Sequence, residues 1–325
     1  MDVACEVPRV DAALSSLYAE FEVPDWPDGF TPVTGSIRPY DAEQVLRHLS
    51  PQAQVVSQPN DPVEIYREGE RFWLVDERWG LAEINLLRGT WRSWVIPEPS
   101  IDTGRLVEMA VLWPLAQLLR PKGLHLLPVP SVVRPTLNKS GDQDASGVLL
   151  LCPFPLDIDL CSLSGAGYRV VSARWTALRE EEGRVSMLRW PTPGASSRWA
   201  NVPLQYHAFC RTVMAIESGR RTRASWRPID PDHVVPVLRQ SWPIVDLHPA
   251  GRTGRLVSSL ARSACCAQAC LSTRPGDLLS VLTGVHRLQQ AEARAAQTQR
   301  LTPPASSIRT KLYRPVSASR PSTAA

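Results

Sequence analysis

A chain of 325 residues with 43% apolar content can bury one large core or two medium ones. Its formal net charge of +4 is too small to argue for nucleic acid, and no apolar run reaches the length of a membrane span. Seven cysteines (Cys5, Cys152, Cys161, Cys210, Cys265, Cys266 and Cys270) make an odd, irregular set that argues against a disulfide framework. With no signal-peptide pattern at the start, the expected location is cytoplasmic.

In chain order, Val10 to Glu20 reads as a short helix, with Leu14, Leu17 and Tyr18 on one face and Pro24, Pro27 and Gly29 ending it. Val63–Arg67 and Arg71–Asp76 flank Glu68-Gly69-Glu70 as a β-hairpin. Ala82–Leu86 and Thr90–Ile96 extend it into an antiparallel β-meander. Ile101 to Arg120 is the best helix, with Leu106, Met109, Ala110, Trp113 and Ala116 at helical spacing and a kink expected at Pro114. Gly123 to Val133 reads as one strand containing His125, followed by a polar excursion from Pro135 to Ser146. Lys139-Ser140 lies in that excursion with no glycine-rich turn before it, and reads as a solvated loop.

Gly147–Cys152 reads as a buried strand, Asp159–Ser164 as about two helical turns, and Ala166–Ser172 as a second strand. Strand, loop, helix and strand make the frame in which P-loop proteins hold nucleotide phosphates. The loop here is Cys152-Pro153-Phe154-Pro155-Leu156-Asp157-Ile158-Asp159, which has no glycine, lysine, serine or threonine. Pro153 and Pro155 remove the backbone N–H groups that would wrap a phosphate. The chain's three lysines, Lys122, Lys139 and Lys311, all lie elsewhere. Asp157 and Asp159 could hold Mg²⁺, but at a helix start they more simply favour its positive end.

Further on, Glu180–Gly183 reads as a turn into a strand from Arg184 to Trp190. Leu204–Ile216 is mixed, and Arg220, Arg221 and Arg223 form a basic cluster able to meet an anion or an acidic peptide. Asp230–Ser241, Gly254–Cys270 and Pro275–Ala293 read as helices. The first of the last two would put Cys266 and Cys270 on one helical face, too few ligands for zinc. From residue 293 on, a basic segment without acids, rich in Ser, Thr, Pro and Ala, reads as disordered. The scattered histidines show no metal spacing, and no Gly-x-Ser-x-Gly elbow is present.

Leu112–Leu119, Gly123–Leu127, Gly147–Leu150 and Ala166–Arg169 followed by Ser172 resemble the HPr kinase-like proteins, and among them the HPr kinase-related proteins of systems with a PqqD-like peptide chaperone. The resemblance spans roughly residues 30 to 285 and implies an α/β fold with α+β elements. That fold would be an HPr kinase/PEP carboxykinase-like P-loop core at 101–292, an N-terminal α+β region with the β-meander at 1–100, and a tail at 293–325. In that family the second strand ends in Ser followed by two acids that serve metal and catalysis. Here Ser172 is followed by Ala173 and Arg174.

The expectation is therefore a catalytically inactive binding or scaffold protein, a pseudokinase with no catalytic residue, metal or cofactor. Its partner would be a protein or peptide, a PqqD-like chaperone or a catalytic paralogue, with a homo-oligomer open. Arg169, Arg174, Arg220, Arg221 and Arg223 are the candidate anion or partner contacts. The alternative is an active ATP- and Mg-dependent serine kinase using Arg169, Arg174 or Lys139 for phosphate and Asp157 and Asp159 for metal.

Overall fold

A computed structural model describes residues 1–19, 32–57, 63–137, 143–152, 160–191, 207–218, 223–240, 252–271 and 276–301. It divides the chain into two units, residues 1–282 and residues 283–325. No helix among the described residues is long and apolar enough to cross a membrane.

The first sheet holds β1 (Asp2–Cys5), β2 (Thr34–Pro39), β3 (Gln54–Val55), β4 (Glu64–Glu68), β5 (Arg71–Asp76), β6 (Gly80–Asn85) and β7 (Thr90–Val95), in the order β1-β2-β7-β6-β5-β4-β3. The strands from β4 to β7 pair antiparallel in chain order, while β1, β2 and β7 run parallel. Two parallel neighbours close in sequence need a crossover. Helix α1 (Pro8–Tyr18) lies on the connection between β1 and β2.

Alternation along β5 sends Phe72 and Leu74 to the main core and Trp73 to the opposite face. There Trp73, Leu81 and Trp94 are buried, and the ring of His48, at the end of α2 (Ala42–His48), meets Trp94 at 4.5 Å between centroids.

The predicted long helix is present in three parts: α3 (Thr103–Val107), a π-helical turn (Glu108–Leu112) and α4 (Trp113–Leu119). Its cause can be read from the sequence. Pro114 has no N–H to offer the carbonyl of Ala110, four residues back. That carbonyl accepts instead from Trp91 Nε1 at 3.0 Å and Ser93 Oγ at 2.7 Å, both on β7. The proline's missing donor thus ties the helix to the first sheet. Val107, Met109, Ala110, Val111 and Leu112 share one buried cluster with Ile37, Ile84 and Trp91 before residue 100 and with Leu126, Trp175 and Ala177 after it.

The second sheet holds β8 (Leu124–Leu127), β9 (Ser131–Leu137), β10 (Gln143–Leu151), β11 (Arg169–Ser172), β12 (Thr176–Glu181), β13 (Arg184–Leu188), β14 (His207–Ser218), β15 (Ser225–Pro228) and β16 (Cys265–Leu271). Its path is β11-β9-β10-β14-β13-β12-β8. The twelve-residue β14 pairs β10 on one flank, and on the other pairs β13 at its start and β16 further along. Helices α6 (Pro231–Gln240) and α7 (Arg252–Ser263) bring Val234, Leu238, Leu256 and Leu260 into a core with Met187, Val213 and Cys266. Between β10 and β11 the only described helix is α5 (Cys161–Ser164), and α8 (Asp277–Leu301) closes the described chain.

Five local expectations are corrected. Cys265–Cys270 is a strand, because β16 inserts between β14 and β15, and pairing on both flanks outweighs the weak helical pattern of small residues. Gly123–Val133 is two strands, with Pro128 and Pro130 in the break and β8 and β9 at different places in the sheet. The excursion after Pro135 is shorter than expected, since β9 and β10 pair out to Leu137 and Gln143; Lys139 and Ser140 lie outside the described residues. The helix expected at Asp159–Ser164 is one turn, starting at Cys161. Helix α8 continues to Leu301, beyond the boundary set at 293, on a run of alanine, glutamine and arginine that favours helix.

Candidate functional site

Strand direction fixes where the candidate residues can meet. β10, β14 and β16 run parallel, and β11 runs with them because both it and β10 are antiparallel to β9. Their carboxyl ends therefore share one edge of the sheet, the edge at which open α/β sheets present ligand sites. Cys152 follows β10 there, Ala173 and Arg174 follow β11, and Glu217 sits at the end of β14. Arg223 precedes β15, whose start pairs with Cys270 near the end of β16. Arg169 opens β11 at the opposite end, about 10 Å away along the strand. Pro153, Phe154, Pro155, Asp157, Asp159, Arg220 and Arg221 lie outside the described residues.

Arg174 is engaged at this edge by a residue that no local pattern joins to it. Its Nε and Nη2 donate to Glu108 at 3.1 and 2.7 Å, a two-pronged pairing across 66 residues of sequence. Arg105 Nη1 donates to the same Glu108 Oε2 at 2.9 Å, and Trp175 Nε1 donates to Oε1 at 2.8 Å. Both carboxylate oxygens thus accept two bonds. The Glu108 side chain is 2% exposed, while Arg105 and Arg174 are 40% and 38% exposed. An ionised carboxylate removed this far from water must be paired and hydrogen-bonded, and these four bonds meet that need.

The π-helical turn begins at Glu108. The sequence did carry one signal for it: Glu108 is the single charge in the apolar run Leu106-Val-Glu-Met-Ala-Val-Leu-Trp113. A lone acid on a buried helix face requires a partner.

Beside this cluster lies a seam of buried hydroxyls. Thr176 Oγ1 donates to the Val129 carbonyl at 2.6 Å and meets Ser131 Oγ at 2.9 Å, while Ser172 Oγ donates to the Trp175 carbonyl. Ser172 and Ser131 are register partners at an irregularity in the β9–β11 pairing. The seam fixes the turn from β11 into β12, and with it the position of Arg174 and Trp175.

On the neighbouring strands, Gln268 Nε2 donates to Glu217 Oε1 at 2.5 Å, and Arg227 donates from Nε and Nη2 to Gln268 Oε1 at 3.0 and 2.7 Å. Among the described residues no group of three or more His, Cys, Asp and Glu is arranged to hold a metal ion.

Burial pushes the thiols of Cys210 and Cys152 up to about 12 and that of Cys266 up to about 11. At pH 8 all three therefore stay protonated, the unreactive form. Iodoacetamide labelling of the native protein at pH 8, read by mass spectrometry, is expected to leave Cys210 and Cys266 unmodified until denaturant is added. Rapid native labelling of either would contradict their placement in the core.

No family model matches the chain, and no curated protein matches it. Among solved structures, the HPr(Ser) kinase/phosphatase from Coxiella burnetii is similar at a TM-score of 0.30 and 10% identity, over 54% of this chain and 97% of that one. No residue role transfers at that level of likeness.

Proposed function

We propose that this chain is a binding protein of HPr kinase-like descent that does not transfer phosphate. In this reading it meets a protein or peptide, such as a PqqD-like chaperone or a catalytic relative, through the carboxyl edge of its second sheet. One observation carries the reading. Where an acid would hold magnesium, Arg174 stands, and the nearest buried carboxylate, Glu108, is already neutralised by Arg174 and Arg105. Among the described residues a divalent cation there would meet two guanidinium groups and no available acidic oxygen, a donor set that does not fit Mg·ATP. The composition of Cys152–Asp159 agrees, since its prolines withhold N–H groups and it supplies no lysine.

The test is a nucleotide titration with turnover measured in parallel. Millimolar ATP with Mg²⁺ is expected to give no phosphate release. It should also give no rise in Tm beyond that with ATP and a chelator, because a ligand that binds only the native state must stabilise it. ATP consumption, or stabilisation that requires Mg²⁺, would restore the active serine kinase.

A further inference from the structure

We propose that the outer edge of β1 is an interface at which two copies of this chain pair their first sheets. The inference goes beyond the reading above and does not depend on it. Three features point to a second copy.

The edge is unpaired. β1 stands at the end of the first sheet, and among the described residues β2 is its only strand partner. The backbone N–H groups of Asp2 and Glu6 donate to the carbonyls of Val33 and Ile37 at 3.0 and 2.8 Å. In a parallel pairing alternate residues face the partner, so Asp2, Ala4 and Glu6 turn their backbone toward β2. The N–H and C=O groups of Val3 and Cys5 therefore point away from the sheet, and among the described residues no strand meets them.

Nothing in β1 guards that edge. Natural edge strands are blocked by proline, by a bulge or by lysine. β1 has none of these, and its register with β2 is unbroken from Asp2 to Cys5. At other edges β3 has only two residues, and β15 ends in Pro228.

The strand is also complementary to itself. Antiparallel pairing about a two-fold axis at Ala4 sets Val3 of each copy opposite Cys5 of the other, the register that satisfies all the outward groups at once. On the core side Val3 and Cys5, both half-buried against the main core, would carry one apolar strip across the axis. On the other side Ala4 meets its own copy, small and exposed. Asp2 there faces the second copy's Glu6, an acid already held by Arg38 Nε at 3.1 Å. The Nη groups of Arg38 are left to meet the incoming Asp2, so the charges agree as well.

The experiment uses the full-length chain with no tag before Met1 and no nucleotide. Sedimentation equilibrium is expected to show a dimer whose fraction grows with concentration. Ala4→Lys, at an exposed position, sets two like charges against each other on the axis. It is expected to raise the dissociation constant about tenfold or more, with the Tm of the dilute protein unchanged. Independently, Ala4→Cys in a Cys5→Ser background is expected to form a disulfide between residue 4 of the two copies under copper–phenanthroline, located by peptide mass spectrometry. The Cα atoms of such a pair lie about 4.5 Å apart, within reach of that bond. A protein that stays monomeric at every concentration, a dimer that Ala4→Lys leaves equally tight, or no crosslink at residue 4 would overturn the interface. None of these results bears on phosphate transfer, so failure here leaves the non-catalytic reading standing, and ATP turnover would leave this interface standing.

Discussion

Glu108→Ala is expected to lower the unfolding free energy by roughly 2–3 kcal/mol, below the 3–5 typical of breaking a buried ion pair because both arginines can regain water. The loss has two sources. Four hydrogen bonds disappear, and Trp175 Nε1, fully buried, is left without its acceptor. Arg105→Ala is expected to cost less, since Glu108 keeps Arg174 and Trp175. The check is the denaturant midpoint of each variant at constant m. Equal midpoints for Glu108→Ala and the parent would mean that the cluster does not hold β11 and the π-helical turn together.

Gly80→Ala is expected to destabilise by on the order of 3 kcal/mol, because its cause is backbone against backbone. Gly80 sits at φ +126°, and an added Cβ would lie 2.0 Å from the carbonyl oxygen of Trp94 on the paired strand β7. Neither atom belongs to a side chain that could rotate away. Gly69, in the preceding hairpin turn, is the internal comparison. It has φ +59° with nothing within 4 Å, so alanine there meets only the left-handed penalty of about 1 kcal/mol. A thermal melt of the two variants separates the effects; equal Tm losses would place the whole cost in φ.

Legibility followed the range of the interaction. Elements set by local pattern could be read from the sequence: the strands on either side of Gly69, helix α6, and the helix through Trp113, where Pro114 marked a disturbance that takes the form of a π turn. Elements set by distant partners could not. Cys265–Leu271 carries no strand signature of its own and becomes one because β14 and β15 flank it. Gly123–Val133 reads as one strand because its apolar run continues across Pro128 and Pro130, where the chain in fact breaks between β8 and β9.

At the candidate site, Ala173 and Arg174 were visible as departures from an acidic pattern, and strand direction brings Arg174 to the same edge as Cys152 and Arg223. Arg169 opens the other end of its strand. Glu108 and Arg105, which give Arg174 its setting, were missed because nothing local joins residue 108 to residue 174. The unpaired acid in an apolar helix was the available clue.

The position of β14 also bears on how the chain is made. Its residues from Thr212 onward take their second partner from Cys265–Leu271, some fifty positions downstream. During synthesis that flank stays bare until residue 271 has left the ribosome, and an open strand edge of this kind invites pairing with other chains. The nascent protein therefore carries a window of vulnerability, and it closes only once Cys265–Leu271 has emerged.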